Sequence, residues 1–268
     1  MRGGKIIDFH THAFSDDLAP KAMKALTEQH PEIPYFLDGT VSSLLKSMDA
    51  AGIEKSVICS IATKPKQFQP ILDWSLQIQS DRIVPFASVH PADPERDEHI
   101  KQVKQAGFKG LKMHPYYQEF YLDDDSMFGY YEQVCKYDLI LVMHTGFDIA
   151  FERVRRADPA RIVNVMKRLP ELKLITTHLG AWQQWDEVGS QIVGKNIYME
   201  ISFALDYLPP DKAKQLFEKH PADFLLFGTD SPWRDQQESL NLLRKLNLDS
   251  ARMEKILYSN AQRLLDVV

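Results

Sequence analysis

The chain of 268 residues sets 32 lysines and arginines against 37 aspartates and glutamates, a formal charge of −5 without a long block of either sign. That balance excludes a nucleic-acid footprint and a polybasic membrane anchor, and no apolar run nears the roughly 20 residues that span a bilayer. With 44% hydrophobic residues the chain can bury a full core, read here as a single domain over 1–268.

The start, Met1-Arg2-Gly3-Gly4-Lys5, lacks the pattern of a secretory leader and runs into an apolar strand near 6–9 that ends in His10-Thr11-His12. A long departure follows over 13–39. It carries Pro20, Pro31 and Pro34 and a short helix around 18–29, and a segment of that length at a strand end commonly shapes a pocket. Thr40 caps a helix bearing Val41, Leu44, Leu45 and Met48, with Gly52 as its stop. Strands near 55–61 and 83–89 flank a helix over 66–79. Asp93-Pro94-Glu95 opens a helix that ends before Gly107. Strands near 107–113 and 139–144 then enclose a helix over 125–136. Asp158-Pro159 starts the next helix, which ends near Leu169-Pro170. Strands near 173–177, 196–201 and 223–228 alternate with helices over 182–193 and 211–219. Helices over 235–246 and 250–264 close the chain.

Several of these strands are nearly continuous in apolar residues, as strands are when a barrel lies on one face and helices on the other. No glycine-rich nucleotide fingerprint follows the first strand, where His-Thr-His-Ala stands instead. The predicted architecture is therefore α/β, a (β/α)8 TIM barrel with an elongated loop after strand one. Cys59 and Cys135 lie in apolar surroundings and read as buried thiols of a reducing compartment, which sets cytoplasmic localisation as the expectation.

Polar residues recur at the strand ends. His10 and His12, at i and i+2, aim two imidazoles into one space, an expensive arrangement for a core and a natural one for a metal. His144 follows strand five, His178 strand six, and Asp230 stands in Gly228-Thr229-Asp230-Ser231-Pro232 after strand eight. A barrel gathers these C-terminal strand ends at one mouth. Imidazole nitrogens with one carboxylate suit zinc, and manganese or iron remain chemically acceptable.

These pieces resemble the amidohydrolase superfamily, within it the branch that includes aminocarboxymuconate-semialdehyde decarboxylase-like proteins. The matching stretches are Ile7-Asp8-Phe9-His10-Thr11-His12, the run from Gly107 through Lys112-Met113-His114-Pro115, His144, His178-Leu179-Gly180 and Gly228-Thr229-Asp230-Ser231-Pro232. The resemblance implies one divalent ion, with His10, His12, His144 and Asp230 at or beside it. It implies an acid/base role for His178, or a second-metal role as in binuclear relatives. Lys112 on strand four has three readings: a carboxylated metal bridge, a site for an anionic substrate, or a plain ion pair.

His114, Tyr116, Trp182 and Trp233 are expected in the pocket wall beside Lys112, with Asp8 and Glu200 as orienting acids. Arg153, Arg155, Arg156 and Arg234 are candidates for a substrate carboxylate, and His30, His99 and His220 are left outside the site. The functional expectation is a metal-dependent hydrolase of a small, carboxylated amide, lactone or ester, with His178 and Asp230 handling protons. The alternatives are non-oxidative decarboxylation of a small unsaturated or aromatic acid, and a barrel that binds a metabolite without turnover. The partner is a small anionic molecule; self-association stays open, with no interface assigned.

Overall fold

Eight short parallel strands line up in chain order: β1 (Ile7–Thr11), β2 (Lys55–Cys59), β3 (Ile83–Phe86), β4 (Gly110–Met113), β5 (Ile140–Met143), β6 (Lys173–Thr176), β7 (Tyr198–Glu200) and β8 (Leu225–Leu226). They belong to a computed structural model that describes residues 5–29, 31 and 33–267; His30 and the first four residues lie outside the described residues. Hydrogen-bonded ladders join β1 to β3 and β4 to β8. Two seams close the ring. Ala87 bridges Leu111 between β3 and β4, while Thr11 bridges Ser231 and Phe9 N–H donates to Phe227 O at 2.8 Å between β1 and β8. The expected (β/α)8 barrel is the observed one.

Each predicted strand is present: β1 runs further toward the mouth than expected, and the other seven are shorter, trimmed at one or both ends. Ile7, Phe9, Val57, Phe86, Ile140 and Ile175 pack as one buried cluster inside the barrel, and residues of the last helix, Asn260–Val267, cover it. A larger cluster fills the space between strands and surrounding helices. The β1 ladder shifts register between Asp8 and Thr11. A regular pleat would alternate His10 with Phe9 across the sheet; at this irregularity both His10 and His12 reach the mouth.

The caps follow the sequence. Thr40 Oγ1 accepts from Ser43 N–H ahead of helix Val41–Ala51, and Gly52 ends that helix at φ +71°. Asp158 caps Pro159–Arg168 and Asp235 caps Gln236–Lys245. The long segment after β1 holds the expected short helix, Ala19–Gln29. The helix expected over 182–193 is confined to Trp185–Gln191, because Trp182 is taken into a bridge with Gly146. Gly146 has φ +87°, and a side chain there would collide with the Trp182 backbone, so this contact needs glycine. The closing helix expected over 250–264 is divided by a wider turn over Lys255–Ser259, and an additional short helix, Ala204–Tyr207, follows β7. No described helix is long and apolar enough to cross a membrane.

Candidate metal centre and pocket

The site begins with two imidazoles whose tautomers are fixed from behind. His10 Nδ1 lies 3.0 Å from Glu200 Oε1, and His12 Nδ1 lies 2.7 Å from the Cys59 carbonyl. Both partners are acceptors, so each Nδ1 carries the proton and each Nε2 offers a lone pair. Those two Nε2 atoms stand 3.2 Å apart. Asp230 Oδ1 joins them at 3.0 Å from His12 Nε2 and 3.5 Å from His10 Nε2. This carboxylate oxygen is buried and accepts no hydrogen bond. An orphaned anionic oxygen beside two converging lone pairs is the donor chemistry of a divalent-metal site, and these three residues fit such an ion.

Electrostatics agree with that geometry. Burial disfavours the protonated form of His10, keeping its imidazole in the neutral state that ligates. Burial alone would raise the Asp230 carboxyl, but the surrounding imidazoles of His10, His12 and His178 hold it well below the usual carboxylate range. Glu200 behaves alike: burial pushes it up, yet His10 and His178 bring it down to about 2.

The turns that carry these residues are cross-tied. Asp8 Oδ1 accepts from the backbone N–H groups of Thr229 and His10 at 3.0 and 3.2 Å, and Asp8 Oδ2 accepts from Thr229 Oγ1 and Gln236 Nε2. Asp8 thus locks the β1 and β8 turns together and does not touch an imidazole ring. Gly228 lets Glu200 approach the β8 turn, since a Cβ there would meet Glu200 Oε2.

A second group stands beside the first. The rings of His114 and His144 stack with centroids 4.1 Å apart, and both Nε2 atoms face Asp148 Oδ2, at 3.2 and 3.4 Å. His144 Nε2 also lies 3.1 Å from the Phe147 carbonyl, which leaves Nδ1 directed at His178 Nε2, 3.2 Å away. His178 is held through Nδ1 by Ser202 Oγ and the Ser202 carbonyl, at 2.9 and 3.2 Å. Metal-capable donors therefore fall into two groups among the described residues, His10-His12-Asp230 and His114-His144-Asp148. His144, grouped by resemblance with the first, stands in the second and meets the first through His178, whose ring centroid is 5.8 Å from that of His10.

Lys112 is buried, with Nζ 3.1 Å from His10 Nε2, and burial lowers its pKa. It lines a cavity of about 440 Å³ together with His114, Trp182 and Trp233. Tyr116 stands beside His144 but is not among the residues that line the cavity. Its hydroxyl is captured by the carbonyls of Gly146 and Val154, and the neighbouring Tyr117 lines the cavity. The arginine candidates have other partners: Arg153 covers the Phe147 ring, Arg155 pairs with Glu187, Arg156 covers Tyr121 and Arg234 pairs with Asp206. None of them lines the cavity. His99 stacks on Phe68 and His220 meets the Ile197 carbonyl, both outside the site.

Asp148 and Ser202 are the residues that sequence reasoning missed. Each had a local signal: Asp148 lies four residues after His144 in the loop that follows β5, and Ser202 is two residues after Glu200 at the end of β7.

Comparison with known proteins agrees with the architecture. The family model described as Amidohydrolase matches residues 7–267. No curated protein is significantly similar to the chain. Among solved structures, an uncharacterized TIM-barrel protein from Bordetella bronchiseptica superposes with a TM-score of 0.77 at 19% identity, covering 98% of each chain. A 2,6-dihydroxybenzoate decarboxylase complexed with 2,6-dihydroxybenzoate gives 0.75 at 16% identity, over 98% of this chain and 100% of the other. A dihydroxybenzoic acid decarboxylase from Polaromonas sp., with bound manganese and the inhibitor 2-nitroresorcinol, gives 0.73 at 15% identity, over 99% and 98%. At these identities the likeness is one of fold.

Proposed function

Because the chain belongs to the amidohydrolase family, we propose that it is a metal-dependent enzyme acting on a carboxylic acid, and that its reaction is non-oxidative decarboxylation. This ranks decarboxylation above the hydrolysis favoured from sequence. The observation that carries it is Lys112: one buried cation and one imidazole acid, His178, share a cavity whose remaining wall is largely apolar. A carboxylate drawn from water onto such a wall is destabilised relative to the charge-dispersed state in which carbon dioxide departs. The decarboxylases of similar fold support the same choice.

His10, His12 and Asp230 would hold the ion, whose positive charge polarises the oxygens of a bound acid. Two imidazoles and a carboxylate suit zinc, the first expectation, and the manganese of the Polaromonas relative makes manganese the second. Lys112 pairs with the substrate anion. His178, held through Nδ1 by Ser202, would in its protonated form present a second N–H at Nε2 and deliver that proton to the carbon that loses its carboxyl group, as the carbon–carbon bond breaks and carbon dioxide leaves.

Hydrolysis of a lactone, ester or amide is the second reading, favoured by the His178 ring, whose centroid is 5.8 Å from that of His10, where it could take a proton from a water beside the metal group. Incubating metal-loaded protein with hydroxybenzoates labelled with ¹³C at the carboxyl group, and separately with aryl lactones, separates the two. Labelled carbon dioxide with proton uptake at the ring supports decarboxylation. Lactone opening without labelled carbon dioxide overturns it in favour of hydrolysis.

A further inference from the structure

We propose that the substrate is amphiphilic: one acid head group joined to an uncharged, apolar body larger than a single aromatic ring, with a second carboxylate selected against. The head group rests on the carboxylic-acid reading above; the body is argued from the cavity alone.

Size is the first observation. A dry cavity of about 150 Å³ holds one benzene ring. The space here is about 440 Å³, close to three times as much, and a one-ring acid would leave most of it unfilled. Charge is the second. Among the described residues that line the cavity, Lys112 is the sole lysine or arginine, and it sits at the floor beside His10. The nearby guanidiniums are held by Asp206 and Glu187 outside the wall. Asp148 on the wall repels a second anion.

The composition of the outer wall is the third. The long segment after β1 contributes Leu18, Leu26 and Ile33, and helix Phe68–Ile78 contributes Ile71 and Trp74. These side chains come from the long segment after β1 and from the helix that joins β2 to β3. They form an apolar chamber leading to the floor, and Leu18 remains 50% exposed at its edge. An apolar substrate body would cover this surface and gain the burial free energy that a polycarboxylate forfeits.

The test reads binding and does not depend on turnover. Benzohydroxamate, its 4-butyl and 4-hexyl derivatives and 4-carboxybenzohydroxamate are titrated calorimetrically into metal-loaded protein. Burial of each methylene corresponds to about a four-fold gain in affinity. The 4-butyl probe should therefore bind about 250-fold tighter than benzohydroxamate, and the 4-carboxy probe at least about 10-fold weaker. Ile71→Arg, at a half-buried position on the outer helix, should erase most of the butyl gain and improve the 4-carboxy probe about 10-fold. Affinity that is flat with chain length, or tighter binding of the 4-carboxy probe to the unaltered protein, overturns the proposal whether or not Ile71→Arg folds. Failure to release labelled carbon dioxide bears only on the reaction. A flat hydroxamate series with carbon dioxide release bears only on the body of the substrate.

Discussion

Glu200 Oε1 stands 3.0 Å from His10 Nδ1, and the same oxygen accepts the His178 backbone N–H at 3.0 Å. One buried carboxylate on β7 thus sets the tautomer of an imidazole on β1 and the position of another after β6. Replacement by the neutral isostere Glu200→Gln should weaken divalent-metal affinity by about 10- to 100-fold, the usual cost of losing the carboxylate behind a ligating histidine. Competition against a chromophoric chelator measures this. An unchanged dissociation constant would remove Glu200 from the account of the metal centre.

His178 has φ +59°, a left-handed backbone that asparagine tolerates well. His178→Asn should accordingly fold, keep its metal and lose turnover by about 10²- to 10⁴-fold, the range for removing a general acid or base. Turnover on the identified substrate and metal content are measured together. Loss of bound metal in proportion to activity would assign His178 to the metal and not to proton transfer.

His220 provides a pH signature away from the metal. Its Nε2 meets the Ile197 carbonyl at 3.0 Å, and burial lowers its pKa from 6.5 to about 4. Above pH 6.5 the ring is neutral folded or unfolded. As pH falls from 6.5 toward 4, the unfolded chain takes up a proton that the folded chain refuses, so stability declines by up to about 3 kcal/mol and levels off below pH 4. In His220→Gln that contribution disappears. Urea unfolding of the metal-free proteins at pH 7, 5.5 and 4.5 should show a shallower decline in the variant; parallel curves would show that His220 titrates normally in the fold.

The barrel was legible because its strands are short, apolar and separated by well-capped helices. Thr40, Gly52, Asp158 and Asp235 each act where their chemistry predicts. The polar strand ends were legible for a related reason: His10, His12, Lys112, His144, His178 and Asp230 interrupt or terminate apolar runs, and the topology brings all six to one cavity. Local spacing does not reveal which distant group captures a side chain. Arg234 is claimed by Asp206 and Arg155 by Glu187, and the Tyr116 hydroxyl by two backbone carbonyls. The grouping of His144 with His114 and Asp148 depends equally on how the β4 and β5 loops fold against each other. His10 and His12 share one side through their i, i+2 spacing, whereas their approach to Asp230 depends on how β1 meets the β8 turn.

The most direct test is elemental mass spectrometry of protein purified without added metal or chelator, alongside His12→Ala and Asp230→Asn variants. The account predicts about one divalent ion per chain in the unaltered protein and its loss in both variants. Absence of bound metal, with no thermal stabilisation on adding zinc or manganese, would contradict it.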